Sequence, residues 1–430
     1  MVEATLRGHV YTFTGALLAA VGLLGVGWPY TLLLGSTLLL SAYLLYRLAE
    51  RYEESVVTAR VSRRLEKQVA VEGEDVEVAL EIRETSGTGV PLLEVADYTP
   101  PRASPSSPGH RGATTLPAKG VAETYYRVRA FFGTHLFPGT LVSGGDAFGL
   151  FTSPRFTTET SILRVLPYYS GAVEEILSST MPWPGETSRV RRRGHGLEFY
   201  EIREYTPGDD PRRIVWTATA RTGRLMVRED EVETRAKLMI FVDLSKDMWL
   251  GVPGETSADH VARAAASLAA YAARMGDLVG YTIFLGDKWF TRPPARGVEV
   301  AEELAGRLSM TSPGSVRPRS QLAHAVEDSL RYSEGCIFLL LTGTGMLREG
   351  LVSALSRALA GDAWRSLVAV LLPSPRDKVS RLLNLAEKRH YSDLAGVFER
   401  TGIRVVVVDG WAWVEALPAV LGEVRLRVAA

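Results

Sequence analysis

The sequence predicts an α/β chain in which a doubly wound, mostly parallel sheet follows a β-sandwich-like module and an N-terminal transmembrane helical hairpin. Three patterns carry this. Gly8 to Tyr46 contains no Asp, Glu, Lys or Arg; from Val69 apolar residues alternate with period two; from Lys237 apolar runs alternate with amphipathic ones. The 430 residues are 46% hydrophobic and 23% charged, an ordinary globular composition, long enough for two to four domains at roughly 100–200 residues each. The 49 basic and 49 acidic residues cancel, so no global field draws the chain to nucleic acid. A single cysteine, Cys336, excludes intrachain disulfides and cysteine metal clusters and fits a reducing compartment.

Residues 1–48 are read as the hairpin. Gly27-Trp28-Pro29 divides the uncharged stretch into residues 10–26 and 30–46, 17 residues each, at the lower limit of the ~17–25 that cross a bilayer. Pro29 breaks the helix, and Trp28 and Tyr30 suit the interface. Arg7 precedes the pair and Arg47, Arg51, Arg60, Arg63 and Arg64 follow it. By the positive-inside rule both ends then face the cytoplasm, giving a two-helix protein of the cell membrane with cytoplasmic soluble domains. A signal peptide has one shorter apolar region, whereas a second equal run follows here.

Residues 55–170 read as the β module. Val76, Val78, Leu80 and Ile82 alternate inward, Thr124 to Ala130 and Ile162 to Leu166 are strand-like, and the four prolines within Thr99–Gly112 predict a loop. No catalytic constellation is evident in this module, which reads as an interaction or spacer element or as a purely structural one. Residues 171–236 form a connector. It holds the basic run Arg189–Arg193, expected as a solvated loop, with nucleic-acid or anionic-lipid binding as the alternative. Its Arg203, Arg212 and Arg221 face the potential acceptors Glu198, Glu204, Asp209 and Asp210, which predicts an ion-pair network around a turn at Pro207-Gly208. That network is either structural or a docking surface.

Residues 237–430 alternate as β-α-β-α-α-β-α-β-α-β, with strands of continuous Ile, Leu, Val and Phe that are buried on both faces. Ser257 with Asp259 is expected to cap the first helix. Ligands in such sheets bind beyond the carboxyl ends of the strands, where the first strand delivers Asp243-Leu-Ser-Lys-Asp247. Cys336 opens a strand and reads as core. The seven histidines have no metal-ligand spacing, and no phosphate-binding Gly-rich loop with Lys-Ser/Thr occurs.

Two stretches carry a resemblance. Gly145-Asp-Ala-Phe-Gly-Leu-Phe151, followed by Arg164-Val-Leu-Pro167, resembles a passage of the membrane-anchored proteins of the domain of unknown function 58 family, with Ala147 where that family has Pro. Gly196 to Arg221 is similar to its signature at Glu198, Phe199, Arg203, Tyr205, Gly208, Asp209, Arg212, Ile214, Trp216, Ala220 and Arg221. The resemblance implies a von Willebrand factor A-like core and a partnership with MoxR-type AAA+ ATPases in assembly or maturation of a client complex. It also implies a metal-ion-dependent adhesion site, in which Asp243, Ser245, Asp247 and Ser320 (or Ser315) would hold Mg²⁺ through oxygen atoms. That site is degenerate: Asp247 stands for a second Ser, and Gly343 stands where the family's T-D-G pattern has Asp. Weak metal binding and a vestigial Asp243 both fit. The resulting expectation is a non-enzymatic, membrane-anchored interaction protein. Its rivals are a metal-dependent hydrolase using Asp243 and Asp247, which lacks an evident general base, and the Arg189–Arg193 binder.

Overall fold

A computed structural model describes residues 2–168, 191–194, 198–207, 209–233, 236–313, 320–332, 334–343, 366–373, 403–417 and 419. The chain is mixed α/β with several sheets and divides into two units, Met1–Leu166 and Pro167–Ala430.

The first unit opens with a short strand β1 (Glu3–Ala4), helix α1 (Leu6–Leu23) and helix α2 (Tyr30–Thr58). Small residues seven apart, Gly8, Gly15 and Gly22 in α1 and Gly35, Ala42 and Ala49 in α2, are buried, with Ser55 and Val56 buried further along α2. A seven-residue spacing keeps them on one stripe, so the backbones approach closely. A Cβ on Gly35 would lie 2.3 Å from the Ala19 nitrogen, and one on Gly22 2.6 Å from the Leu32 nitrogen. Tyr11 and Ser41 add a hydroxyl hydrogen bond of 2.9 Å across the pair. The outer faces expose Val10, Phe13, Leu17, Leu33, Leu34 and Leu40. Among the described residues, α2 is the one helix long and apolar enough to cross a membrane; α1 carries Arg7 and His9 within its 18 residues.

Eleven further strands complete this unit: β2 (Arg60–Leu65), β3 (Val69–Val71), β4 (Asp75–Arg83), β5 (Val90–Tyr98), β6 (Ala103–Pro105), β7 (Arg111–Leu116), β8 (Val121–Ala130), β9 (Gly133–Phe137), β10 (Gly139–Gly145), β11 (Phe151–Thr157) and β12 (Ser161–Leu166). They form sheets ordered β1-β11-β10-β5-β7, β2-β4-β8-β6 and β3-β12-β9. Their inward residues, among them Val78, Leu80, Leu93, Tyr126, Val128, Phe137 and Leu163, share one core with Val56 of α2. The proline-rich stretch expected as a loop in fact contains β6, which pairs with the end of β8. Pro105 is tolerated because β6 is an edge strand.

The Gly145–Phe151 passage acquires a structural role here. Buried Asp146 accepts hydrogen bonds from the Phe148 and Phe151 nitrogens at 2.8 and 2.7 Å. The loop so shaped presents its carbonyls to α1. Thr5, the N-cap of α1, donates to Gly149 O at 2.8 Å and accepts from Gly8 N at 3.1 Å. A Cβ on Gly8 would sit 2.2 Å from the Leu150 oxygen. The passage therefore fastens the helix pair to the β module.

In the second unit, strands β13 (Arg191–Gly194), β14 (Glu198–Glu204) and β15 (Met226–Glu233) form an antiparallel sheet ordered β13-β15-β14, with α3 (Trp216–Thr222) between β14 and β15. The main sheet contains β16 (Lys237–Asp243), β17 (Leu278–Phe284), β18 (Trp289–Ala295), β19 (Ile337–Thr342), β20 (Ser366–Leu372) and β21 (Arg404–Asp409), ordered β18-β17-β16-β19-β20-β21. All neighbours are parallel except β17 and β18. Helices α4 (Ser257–Arg274), α5 (Glu299–Ser309) and α6 (Ser320–Leu330) belong to this part. The antiparallel edge strand β18 was not expected, because Pro293-Pro294 interrupts its pattern. The prolines are accommodated by a register shift opposite Gly280, where a Cβ would lie 2.7 Å from the Pro294 nitrogen. The cap of α4 also differs from expectation. Thr256, not Ser257, is the N-cap, and it exchanges hydrogen bonds of 3.2 and 3.0 Å with Asp259 in a capping box. The helices expected over residues 347–359 and 377–400 lie outside the described residues.

Candidate functional site

The first strand, β16, is followed in space by β17 on one side and β19 on the other, so the chain reverses its winding direction between β16 and β19. Open parallel sheets place ligands at such a point, beyond the carboxyl ends. Asp243 ends β16 and Thr342 ends β19, and they meet there: the Thr342 hydroxyl donates to Asp243 Oδ2 at 2.9 Å. The Ser245 nitrogen donates to Oδ1 at 2.9 Å. Asp243 is fully buried. Burial pushes its carboxyl up to about 6, against the pull of the Ser245 and Thr342 hydrogen bonds and with a further push from the Asp247 charge.

Of the sequence-predicted ligands, Asp243 and Ser245 are brought together. Asp247 lies exposed in the 3₁₀ turn Lys246–Trp249, near enough for its charge to act on the Asp243 carboxyl. Ser320 starts α6, but its side chain, like the alternative Ser315, lies outside the described residues. Among the described residues no group of three His, Cys, Asp or Glu is placed to hold a metal. Gly343 gives the physical reason that the missing aspartate cannot simply be restored. A Cβ there would meet Ser257 Cβ at 2.5 Å and Met248 Sδ at 2.8 Å. Gly343→Asp is expected to lower stability by about 1–3 kcal/mol through overpacking, rather than to create metal affinity. Thermal melts with and without Mg²⁺ check this; a metal-dependent gain in melting temperature would refute it.

Around the rim of this point the chain is open. Leu250 and Val252, in the loop after β16, are 67% and 47% exposed beside Lys246 and Asp247. Trp249, by contrast, is buried and donates from its indole nitrogen to Leu244 O at 3.1 Å, so the loop is held from beneath while its apolar tip faces solvent. The sequence reading passed over these two residues. Their signal was an apolar pair in a Gly-rich loop at the carboxyl edge.

The signature region forms a smaller network than predicted. Arg203 holds Asp209 in a bidentate pair of 2.7 and 2.6 Å. Asp209 also accepts from Thr206 N at 2.8 Å and from the Thr206 hydroxyl at 3.0 Å, closing the turn. The Arg203 guanidinium, with the Thr206 hydrogen bonds, holds the Asp209 carboxyl far below the usual range. The pair is only partly enclosed, with side-chain exposures of 29% and 17%, so the large penalty for breaking a buried pair does not apply. Arg212 and Arg221 are exposed and do not join it. Asp210 caps the 3₁₀ turn Pro211–Arg213 by accepting from Arg212 N at 3.0 Å. Glu204 meets Arg224 at 3.3 Å instead of the expected arginines. Tyr205 is half-buried, with its nitrogen on Leu225 O at 2.8 Å; Trp216 is exposed on α3. The side chain of Glu198 and all of Gly208 lie outside the described residues.

The basic run is not the loop expected. Its described part, Arg191–Gly194, is strand β13, in register with β15 so that Arg191 lies opposite Glu233 and Arg193 opposite Glu231.

The β module contains a polar cluster the sequence reading missed. Asp97, on β5, is buried. Arg63 reaches it from β2 with a 3.0 Å Nε bond and a second, shorter contact through Nη2. Tyr126 donates to it at 2.5 Å and Thr140 at 2.8 Å. Burial first, and then the Asp97 charge, raises the Tyr126 hydroxyl well above its ordinary value. The Arg63 guanidinium also lies 5.2 Å from the Phe137 ring centre.

Residues 201–379 match the family model described as protein of unknown function DUF58. Uncharacterized proteins of Mycobacterium tuberculosis (strain H37Rv) and Mycobacterium bovis are 33% identical over 142 residues. The match covers 33% of this chain and 44% of each relative, so the chain spans less than half the length of the curated relatives it matches. Among solved structures, the cupredoxin domain of amoB from Nitrosocaldus yellowstonii is 10% identical, covering 25% of this chain and 86% of that one at a TM-score of 0.19. A cohesin from Archaeoglobus fulgidus is 14% identical, covering 25% and 91% at a TM-score of 0.17. At such scores the likeness carries no functional meaning.

Proposed function

We propose that this chain is a membrane-anchored protein-interaction scaffold that docks a partner through the exposed loop at the carboxyl edge of its main sheet. The observation that carries the reading is the contrast at that edge: Asp243 is sealed inside, whereas Leu250 and Val252 are held out to solvent above a buried Trp249. Exposed apolar residues ringed by charges mark protein contact surfaces. The strand order, with its antiparallel edge, supports a von Willebrand factor A-like core, and the resemblance to the domain of unknown function 58 family supports a MoxR-type AAA+ ATPase as the proposed partner, acting in assembly or maturation of a client complex. A weakly held Mg²⁺ at Asp243 is a secondary feature on this reading.

The anchor is both helices. α2 meets the length and apolarity a span needs, and α1 packs on it through backbone-close glycines while exposing Val10, Phe13 and Leu17 outward. Such a face is stable only against lipid or another protein. With cations on the outer flanks, both ends lie in the cytoplasm. Ser62→Cys, on β2, should react with a membrane-impermeant maleimide only in permeabilised cells; reaction in intact cells would overturn the topology. Affinity purification of the detergent-solubilised full chain, with and without Mg²⁺ and ATP, should recover a MoxR-type ATPase. Failure to recover one under any of these conditions would count against the partnership.

A further inference from the structure

The β module holds a cationic cleft that the proposed function does not use. A cavity of about 520 Å³ is lined by Arg63, Arg64 and Leu65 of β2, Gln68 and Val69 of the next turn and strand, and Thr160, Ser161, Ile162 and Arg164 around β12. Successive side chains of a strand point to opposite faces. A cavity touched by residues 63, 64 and 65 must therefore run along the edge of β2, and β2 is the terminal strand of its sheet.

The charges of the lining decide what the cleft suits. Arg63 is neutralised by buried Asp97. Arg64 and Arg164 are exposed, and among the described residues neither guanidinium has an ion-pair or hydrogen-bond partner. No acidic residue lines the cavity. The nearby Lys67 is occupied by Glu74, and Glu159 turns a carbonyl, not a charge, to Arg63 at 2.9 Å. Two free guanidinium forks remain above a floor that is already neutral. Such forks are matched by carboxylates, which they bind bidentately. Leu65, Val69 and Ile162 supply apolar wall between them.

We infer that this cleft binds an acidic, extended segment of a partner protein, with its carboxylates on Arg64 and Arg164 and its backbone along the edge of β2. The lining follows the chain from Arg63 through Leu65 to Val69, which suits an extended chain, and an unpaired strand edge is the usual template for one. The inference is independent of the docking loop in the second unit.

The test uses the full chain in nanodiscs of zwitterionic lipid, so that no anionic headgroup competes. Fluorescein-labelled hexaglutamate is titrated and followed by anisotropy. Binding should weaken about tenfold or more in Arg64→Glu/Arg164→Glu, and less in Arg64→Gln/Arg164→Gln, because the glutamines remove the forks without adding repulsion. Arg111→Glu/Arg127→Glu makes the same charge change elsewhere on the module and should bind as the wild type does. Three results overturn the inference. Equal loss in both glutamate pairs would mean general electrostatics. No binding by the wild type would mean no site. Binding of inorganic pyrophosphate that depends on Arg64 and Arg164, without binding of the peptide, would mean a small-anion site instead. Unchanged melting of the variants ensures that lost binding is not lost folding.

Discussion

Asp97→Ala, or Arg63→Ala, is expected to destabilise the β module by about 3–5 kcal/mol, the cost of leaving one buried charge without its partner. The side chains are 0% and 1% exposed, so water cannot replace the lost contact. Removing Asp97 also strands the Tyr126 and Thr140 hydroxyls, which both donate to it. Against a total stability of roughly 5–15 kcal/mol for a domain, such a loss approaches unfolding. Replacing both partners, as in Arg63→Met/Asp97→Leu, should cost much less than either single change, because it removes both desolvated charges together. Thermal melts and limited proteolysis of the full chain in detergent report the ranking. Single variants as stable as the double would mean the pair is solvated.

The second large effect has the opposite sign. Asp243→Asn is expected to stabilise the α/β unit at neutral pH in metal-free buffer. With its carboxyl pushed up to about 6 from an ordinary value of about 3.9, the folded state holds a proton that the unfolded state has released. Stability is therefore full below pH ~4, is lost as pH rises to about 6, and stays lost above it, a deficit of about 3 kcal/mol. Asparagine keeps the acceptor for Ser245 N and removes the charge, while its second amide proton costs about 1 kcal/mol if unpaired. The net gain expected above pH 7 is about 2 kcal/mol, turning into a loss of about 1 kcal/mol below pH ~4, where only the asparagine cost remains. His260 imposes the reverse slope over nearly the same window. Burial holds its imidazole down to about 4, so its contribution is lost as pH falls from about 6.5. Only the difference between variant and wild type isolates Asp243. A variant less stable than wild type at pH 7.5 would show that the ionised carboxylate is well satisfied.

These two sites also mark where sequence reading succeeds and where it stops. Asp243 was legible because a continuous apolar run, Leu238–Val242, ends on it, and an open parallel sheet presents that end to ligands. What could not be read was its surroundings. Thr342 lies 99 residues away, and the closeness of Gly343 to Ser257 is a fact of tertiary packing. The helix pair was legible from missing charges alone, although the unequal apolarity of its members came from Arg7 and His9 lying inside α1 rather than before it. Asp97 did leave a trace: Leu93, Val95 and Asp97 share one inward phase, so the alternation itself placed a carboxylate in the core. Its partner Arg63 comes from another sheet, which periodicity cannot reveal. Strand β18 was hidden by its prolines, whose tolerance depends on an edge position that only topology defines.

Binding of a purified MoxR-type AAA+ ATPase to the full chain in nanodiscs, measured side by side for wild type, Asp243→Asn and Leu250→Asp/Val252→Asp, tests the docking proposal most directly. The account predicts that Asp243→Asn binds as wild type does and that the loop variant, though equally stable, loses about tenfold or more in affinity. Loss of binding in Asp243→Asn with the loop variant unaffected would contradict it and return the function to the buried carboxylate.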